Sequence, residues 1–333
     1  MLDVLPWHRS QWNQLCNSLT HGRLPHALLL TGPAGIGLKE FANLVASRLL
    51  CLEDEATSAP CRKCRSCVLF EAGNHPDYML VDVEEDGKQI RVEQIRKMID
   101  FINLKSQFDR LKIVIIESAH SMNKNAANSL LKTLEEPPAD SLILLTTHRP
   151  NLLPVTIRSR CQKMIFQPDY STETLEWLKR KIAEPASAET LLRFAGGAPF
   201  AAANYSDEQH LELISGLIND LYSVSGNQIN PVALSQKWNK AGAEYILYWL
   251  LRLFTDILRL KIKTSPILFY QGDSLKILQG LTNQLDLVQL MQSYDLLLKN
   301  YGLASSQISF NTQGLLEDFI IYWQETSNCE GKP

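Results

Sequence analysis

Gly32 and Gly37 have the spacing of the two glycines of a phosphate-binding loop, and they follow an apolar run over residues 27–30. In the motif G-x-x-x-x-G-K-[ST], the lysine reaches the outer phosphates of a nucleotide and the hydroxyl binds Mg²⁺. Leu38 stands at the lysine position here, and Lys39 stands at the Ser/Thr position. The sequence therefore predicts the backbone scaffold of a nucleotide site without the side chains that hold phosphate and metal. We call this segment the degenerate loop and define it by Gly32, Gly35, Gly37, Leu38 and Lys39.

A second defective element follows the β-branched run over residues 111–116, which predicts a buried parallel strand. In an active nucleotide hydrolase this strand ends in Asp-Glu, whose carboxylates support Mg²⁺ and position the attacking water. Here Glu117 takes the metal-side position and Ser118 replaces the catalytic carboxylate. Any buried strand of an α/β sheet would also fit this run, so the interpretation as a disabled element depends on the degenerate loop before it.

Four of the 7 cysteines cluster around two overlapping C-x-x-C steps. Four thiolates are the tetrahedral ligands that Zn²⁺ takes in closed structural sites, which leave no open position for a catalytic water. A redox C-x-x-C and a chance grouping of small buried residues are the alternatives, and the odd cysteine count argues against a disulfide framework. His75 is predicted to be a turn residue before Pro76 rather than a further ligand. The predicted structural zinc ligands are Cys51, Cys61, Cys64 and Cys67.

Hydrophobic periodicity predicts the elements that position these residues. Strands near residues 28, 79, 112 and 142 alternate with helices, which is typical of a parallel α/β sheet. Past residue 167 the predicted strands stop, and helices are expected over 171–183, over 187–195 with Ser187 as the N-cap, and over most of 208–326. The predicted domains are an α/β domain over 1–166 with its cysteine module at 51–67, a small helical domain over 167–207 and a helical domain over 208–333.

Composition narrows the class of protein. The chain has 333 residues, 45% of them hydrophobic, which suffices for the cores of two or three domains. Its net charge of −3 excludes a global basic field that would draw it onto nucleic acid. The first residues lack a basic region followed by an apolar core, and the apolar run at 245–251 is interrupted by Arg252 and then Asp256. We therefore expect a soluble cytoplasmic protein with no signal peptide and no membrane span.

A longer motif indicates which protein family the chain resembles. The run LLKTLEEPP over residues 130–138 is followed by Ser159-Arg160-Cys161. Together with the four-cysteine insert and the degenerate loop, these motifs resemble the AAA+ clamp-loader family over residues 7–207, whereas over 208–333 the resemblance rests only on helical character. The resemblance implies an AAA+ P-loop-type parallel-sheet α/β domain with a zinc insert, then a small helical lid domain and an all-α C-terminal oligomerisation domain, the collar.

The resemblance also implies roles for single residues. Arg160 matches the arginine finger of the family, which reaches into the ATP site of the neighbouring subunit, and Ser159 belongs to the same motif. Thr147 matches the sensor position that would read a γ-phosphate. Phe200 stands where active members carry the arginine of the second sensor, a third departure from an active site. Without the preceding motif, a surface salt bridge would be the better interpretation of Arg160.

These matches imply a subunit that does not hydrolyse ATP and is not expected to bind it tightly. It would help to load the sliding clamp onto primed DNA within a DNA polymerase III holoenzyme, a DNA-directed DNA polymerase and nucleotidyltransferase. The implied partners are ATPase subunits of tau/gamma type and a delta-type subunit. Two alternatives stay open: an autonomous AAA+ ATPase in which Lys39 reaches the phosphates, and a zinc-dependent nucleic-acid-binding module with a basic patch of Arg62, Lys63 and Arg65.

Overall fold

The structure is a computed structural model, which describes residues 3–53, 59–84, 89–206, 208–262, 273–306 and 310–327. The chain separates into two compact units, Met1–Asn204 and Tyr205–Pro333, which are described one at a time. Cys329, part of the polar segment before Cys61 and parts of the predicted C-terminal helical region lie outside the described residues. The predicted division of the first unit at residue 166 into α/β and lid domains stays a prediction.

A 5-stranded parallel sheet forms the centre of the first unit, in the strand order β2-β3-β4-β1-β5. The four strands predicted from the sequence are present. The last strand is missing from the prediction because only Met164 of its 4 residues is buried, so it lacks an apolar run. The strands are β1 (Ala27–Thr31), β2 (Tyr78–Val81), β3 (Lys112–Ile116), β4 (Ser141–Thr147) and β5 (Gln162–Ile165).

Alternation along the strands divides the core of this unit into two layers, one on each face of the sheet. In β1, Leu28 and Leu30 pack into one hydrophobic cluster, whereas Ala27 and Leu29 pack into the other. Every residue of β1, β3 and β4 is buried, and helices on both faces of a parallel sheet produce this burial. The helices are α1 (Arg9–Thr20), α2 (Leu38–Leu50), α3 (Arg65–Glu71), α4 (Val92–Ile102), α5 (Lys124–Glu135), α6 (Val155–Arg158), α7 (Thr172–Lys179), α8 (Ala188–Phe194) and α9 (Pro199–Tyr205).

The helical segment after the sheet differs from the prediction in its boundaries. Helix α7 ends at Lys179, short of the predicted Ala183. Ser187 does precede α8, as predicted, but its side chain makes no capping hydrogen bond. It lies instead in the 3-10 turn Pro185–Ser187, where its hydroxyl donates to Glu184 O at 2.7 Å. The predicted N-cap position is therefore confirmed, but the hydroxyl makes its hydrogen bond within the preceding turn and not to the helix.

The second unit is helical where the structure describes it, as predicted, and aromatic rings contact one another within its mostly aliphatic core. Phe254 makes edge-to-face contacts with Phe319 and Trp323 at ring-centroid distances of 5.6 and 5.2 Å. The Nε1 of Trp323 donates to Leu221 O at 3.0 Å, so the buried indole keeps a hydrogen-bond partner. The helices are α10 (Glu208–Ser225), α11 (Pro231–Lys240), α12 (Ala243–Lys261), α13 (Asp273–Gln284), α14 (Leu287–Ala304) and α15 (Thr312–Ser327).

Among the described ranges of both units, we find no helix whose length and apolar character would let it cross a membrane.

Candidate functional site

The carboxyl ends of β1, β3 and β4 meet at one edge of the sheet, beside a cavity of about 250 Å³. The degenerate loop connects β1 to α2 and forms one wall of this cavity. Because parallel strands end at the same edge, residues from distant parts of the sequence meet here. Of the predicted site residues, the structure brings Gly35, Gly37, Leu38, Lys39, Glu117 and Thr147 to the cavity.

The glycines of the degenerate loop allow close contact with its neighbours. Gly35 has a φ of +79°, a left-handed conformation that favours glycine. A Cβ on Gly35 would lie 2.5 Å from the Cβ of Ala201 in α9, and a Cβ on Gly32 would lie 2.9 Å from the Cβ of Phe166. Larger residues at these two positions would therefore push the loop away from α9 and from the segment after β5.

Lys39 forms an ion pair with Glu117 beside the cavity, with 2.6 Å between Nζ and Oε2. The hydrogen bond to Glu117 is the main cause that raises the pKa of the Lys39 ammonium. Burial raises the pKa of the Glu117 carboxyl, and its bond to Lys39 acts in the opposite direction. The cation that an autonomous ATPase would need for phosphate binding is therefore held by a carboxylate of the same chain.

Apolar side chains occupy the two positions at which the resemblance to the clamp-loader family predicts cations in active members. Leu38 and Phe200 both pack against the hydrophobic cluster on one face of the sheet. The Phe200 ring lies against Gly37, since a Cβ built on Gly37 would come within 2.8 Å of the ring carbon Cε2. Trp177 contacts the same ring edge-to-face at a centroid distance of 5.1 Å. Beside the charged Lys39, the loop side of the cavity therefore carries the apolar side chains of Leu38 and Phe200.

The N-terminal segment and α9 donate hydrogen bonds to carbonyl groups of the degenerate loop. Trp7 Nε1 donates to Ile36 O at 2.7 Å, and His8 Nε2 lies 2.9 Å from the same oxygen. Burial lowers the pKa of His8 to about 4, so the ring is neutral at pH 7 and Nε2–H is the donor. The Phe200 backbone N–H donates to Gly35 O at 3.0 Å. Three donors from outside the loop therefore fix two consecutive carbonyls.

Thr147, the predicted sensor residue, is buried and already hydrogen-bonded within the chain. Its Oγ1 lies 3.0 Å from His120 Nδ1, and it accepts from the Arg149 backbone N–H at 3.0 Å. Burial lowers the pKa of His120 to about 4, with His148 and Arg149 adding to the shift. The Thr147 hydroxyl is therefore already engaged with His120 inside the chain, and this contact would have to break before the hydroxyl could bind a phosphate oxygen.

The four predicted metal ligands converge at the end of α2 and the start of α3. The sulfurs of Cys51, Cys61, Cys64 and Cys67 all lie within 4.8 Å of one another, and those of Cys61 and Cys67 are 3.9 Å apart. Tetrahedral coordination with metal–sulfur distances of about 2.3 Å separates the sulfurs by about 3.8 Å, so the cluster fits such an ion. Backbone N–H groups of Cys64 and Cys67 donate to the sulfurs of Cys61 and Cys64 at 3.4 Å.

His75 lies outside the sulfur cluster, but it has a structural role that the sequence did not indicate. Its Nε2 donates to Ser66 Oγ at 2.8 Å, and Ser66 in turn donates to Leu50 O at 2.5 Å. Its Nδ1 accepts from the Asp77 backbone N–H at 3.0 Å. His75 therefore connects the cysteine module to the segment that leads into β2, rather than acting only as a turn residue.

Arg160 and Ser159 follow α6 and are not among the residues that line the cavity of their own chain. Arg160 donates from Nη1 to Thr156 O at 2.9 Å and forms an ion pair through Nη2 with Glu135 at the end of α5. The Ser159 hydroxyl donates to Thr156 O at 3.1 Å. Cys161 is buried, which raises the pKa of its thiol to about 11 and keeps it in the unreactive protonated form.

Sequence reasoning missed the contacts of Trp7, His8, Glu135 and His120. Their partners lie between 25 and 29 residues away in the sequence, so no local pattern indicates the pairing. Glu135 belongs to the quoted LLKTLEEPP run, yet the run itself does not indicate which side chain the carboxylate meets.

Comparison with known proteins gives consistent matches over most of the chain. A family model described as DNA polymerase III, delta subunit, matches residues 7–170, and one described as DNA polymerase III, delta subunit, C terminal, matches residues 206–325. The chain is 34% identical to DNA polymerase III subunit delta' of Pseudomonas aeruginosa, with 97% of this chain and 98% of that protein covered. Its identity to subunit delta' of Bacillus subtilis is 32%, with 93% and 94% covered. A shorter match, 39% identical, covers 44% of this chain and 21% of DNA polymerase III subunit tau/gamma of Haemophilus influenzae.

Removal of metal from the cysteine cluster should destabilise the first unit, because a closed thiolate site contributes folding free energy. A chelator should lower the melting temperature of the metal-loaded chain, by roughly 2–4 °C per kcal/mol lost in a unit of about this size. The variant Cys64→Ser should melt at the lower temperature without a chelator, and addition of the chelator should not lower its melting temperature further. Calorimetry with metal analysis makes the measurement.

The matched control for the metal experiment is Cys16→Ala, which removes a buried cysteine outside the cluster and should leave the metal content unchanged. An unchanged melting temperature after confirmed metal loss would contradict the structural role.

Lowering the pH from 7 to 5 should destabilise the first unit through His8. Its pKa falls from 6.5 to about 4 on folding, so the unfolded chain binds more protons between these values. Stability therefore decreases as the pH falls through this window, by about 1–2 kcal/mol at pH 5. His8→Gln keeps an N–H donor but cannot titrate, so it should lose less stability between the two pH values in urea unfolding. Equal losses in the parent and the variant would contradict the assignment.

Proposed function

The chain belongs to the DNA polymerase III delta' subunit family, and we propose that it is a clamp-loader subunit that hydrolyses no ATP itself and completes the ATP site of a neighbouring subunit. In this function the complex loads the sliding clamp onto primed DNA in the cytoplasm, as part of the DNA polymerase III holoenzyme. The observation that carries the proposal is the ion pair between Lys39 and Glu117, which engages the lysine of the degenerate loop with a carboxylate of the same chain.

Several further features argue against hydrolysis in this chain. Phosphoryl transfer needs cations on the outer phosphates and a group that orients the attacking water. Leu38 and Phe200 are apolar, and Ser118 stands where the water-orienting carboxylate would be. The hydroxyl of Thr147 is engaged by His120. Binding of ATP phosphates by Lys39 in this cavity would require the Lys39–Glu117 pair to open.

The position of Arg160 supports the proposal that the chain completes the ATP site of a neighbouring subunit. Its side chain is 34% exposed, so the guanidinium is accessible from outside the chain. Leu152 and Val155, which lie on the same short segment, are 55% and 67% exposed. Exposed apolar side chains around an arginine are typical of a protein interface. We infer that this surface meets an ATPase subunit of tau/gamma type, in which Arg160 stabilises the charge of the transferring phosphate.

The second unit offers a surface for assembly with the other subunits, including one of delta type. Leu287, Met291 and Leu298 of α14 are 40%, 53% and 52% exposed and lie on one face of the helix. An exposed apolar stripe of this kind marks an interaction surface more often than a free surface. We assign it to subunit packing in the collar of the complex.

We assign the ion of the cysteine cluster as Zn²⁺, since four thiolates in tetrahedral geometry favour this metal. Its role would be to cross-link α2 and α3 without taking part in the chemistry. The alternative of a zinc-dependent nucleic-acid-binding module is weaker. Of its three cations, Arg62 pairs with Asp3, and the guanidinium of Arg65 lies 6.0 Å from the ring centroid of Phe108. Lys63 and Arg65 are exposed, but so few cations bind a phosphate backbone only weakly, because such binding depends on their number.

The isolated chain should not bind ATP detectably with Mg²⁺ at about 1 mM nucleotide, the concentration that corresponds to weak binding of about 4 kcal/mol. Equilibrium dialysis or calorimetry makes the measurement, with an ATPase subunit of tau/gamma type as the positive reference. The double variant Leu38→Lys, Lys39→Thr restores the motif and removes the pair with Glu117, so it should bind more tightly than the parent. Micromolar binding by the parent would instead favour the autonomous ATPase.

Arg160→Ala should leave folding and assembly intact and lower the ATPase activity of the complex that clamp and primed DNA stimulate. Arginines supplied in trans contribute about 10³–10⁵ in rate to related reactions, so the site that Arg160 completes should lose nearly all turnover. Arg160→Lys keeps the charge but lacks the planar fork, and it should restore little activity.

The control for Arg160→Ala is Arg193→Ala, which removes an equal charge from an exposed pair with Glu189 in α8. This variant should behave like the parent. Full ATPase activity in a complex shown to contain Arg160→Ala would remove the arginine-finger assignment.

A further inference from the structure

We propose that Glu135 is a positioning residue, which holds the guanidinium of Arg160 in the orientation that meets the phosphates of the neighbouring subunit. The proposal rests on the proposed function, because it needs Arg160 to act in trans. The proposal gives a role to Glu135, the first glutamate of the LLKTLEEPP run, which does not line this chain's own cavity.

Two contacts orient the guanidinium. Nη1 donates to Thr156 O at 2.9 Å, and Nη2 donates to the Glu135 carboxylate. The carbonyl of Thr156 belongs to the same short segment as Arg160, so this contact moves with the segment. The contact with Glu135 spans 25 residues and connects Arg160 to another helix. These bonds use two of the five N–H donors of arginine, which leaves donors for a phosphate.

The helix that carries Glu135 is firmly held at both ends. Asn123 caps the start of α5 by accepting from the Ala126 backbone N–H at 2.8 Å. Leu130 and Leu134 are buried in the core, and His26 Nε2 donates to Leu134 O at 3.1 Å, one residue before Glu135. The carboxylate is therefore presented from a fixed backbone, whereas Arg160 follows a helix of only 4 residues.

Neither the stability of the helix nor the stability of the folded protein accounts for an acidic residue at position 135. The carboxyl end of a helix carries partial negative charge, so Glu135 as the last residue of α5 is unfavourable for the helix itself. The side chains of Arg160 and Glu135 are 34% and 50% exposed, and ion pairs at such sites contribute little to stability. The remaining effect of the pair is to restrict the long arginine side chain to one orientation before the neighbour binds.

The experiment measures kcat and KM for ATP in the complete complex, assembled with the chain as Glu135→Ala, Glu135→Gln or Glu136→Ala. Glu136→Ala is the matched control, because it removes the same charge from the adjacent residue. The Arg160-dependent activity is the difference between the parent complex and the Arg160→Ala complex.

We expect Glu135→Ala to lower this Arg160-dependent kcat by about tenfold, since misplacement of a catalytic group by 1 Å costs up to about 100-fold. KM should change little, because the arginine acts mainly in the transition state. Glu135→Gln keeps an acceptor oxygen and should retain most of the activity, and Glu136→Ala should match the parent. Glu135→Ala combined with Arg160→Ala should be no slower than Arg160→Ala alone.

Two results would overturn the positioning role while leaving the proposed function intact. If Glu135→Ala equals Glu136→Ala while Arg160→Ala is slow, the pair does not position the arginine. If Glu135→Ala is faster than the parent, the carboxylate sequesters Arg160 instead of positioning it. A normal rate for Arg160→Ala would remove the proposed function itself, and the role of Glu135 with it.

Discussion

The parallel direction of β1, β3 and β4 is the constraint on which the candidate site depends. It places the degenerate loop, Glu117 and Thr147 at one edge of the sheet, although long stretches of sequence separate them. Sheets of this type bind ligands at the carboxyl ends of their strands. In this chain the protein's own groups meet at the same edge, because Lys39 pairs with Glu117 there and Phe200 lies against the loop. The lysine of the degenerate loop is thus paired within the chain.

A loop that needs no ligand to hold its shape is consistent with a rigid subunit. Trp7 and His8 donate to one loop carbonyl, and the Phe200 N–H donates to the carbonyl before it. These donors lie on two different segments that pack around the loop. In the proposed function, such a subunit contributes to catalysis through Arg160 on its surface instead of through its own cavity.

The cysteine module adds a second fixed point to the same unit. Its four sulfurs converge between α2 and α3, and the Ser66–His75 contact connects it to the segment before β2. Since α2 begins in the degenerate loop, the module and the loop lie at opposite ends of one helix. A metal cross-link at the far end would therefore stabilise the helix that carries the loop, without a part in any reaction.

The elements that depend on local pattern could be predicted from the amino-acid sequence alone. Apolar runs identified β1 to β4, the glycine spacing identified the loop, and the C-x-x-C steps identified the sulfur cluster, because each of these signals lies within a short stretch of chain. The strand β5 was missed because an edge strand with one buried residue has no such pattern. The partners of the charged side chains are visible only in the three-dimensional structure. Lys39 pairs with Glu117 and Arg160 pairs with Glu135, and no sequence periodicity relates these residues. Long-range pairing depends on how packed elements meet in space, and the local sequence does not encode it.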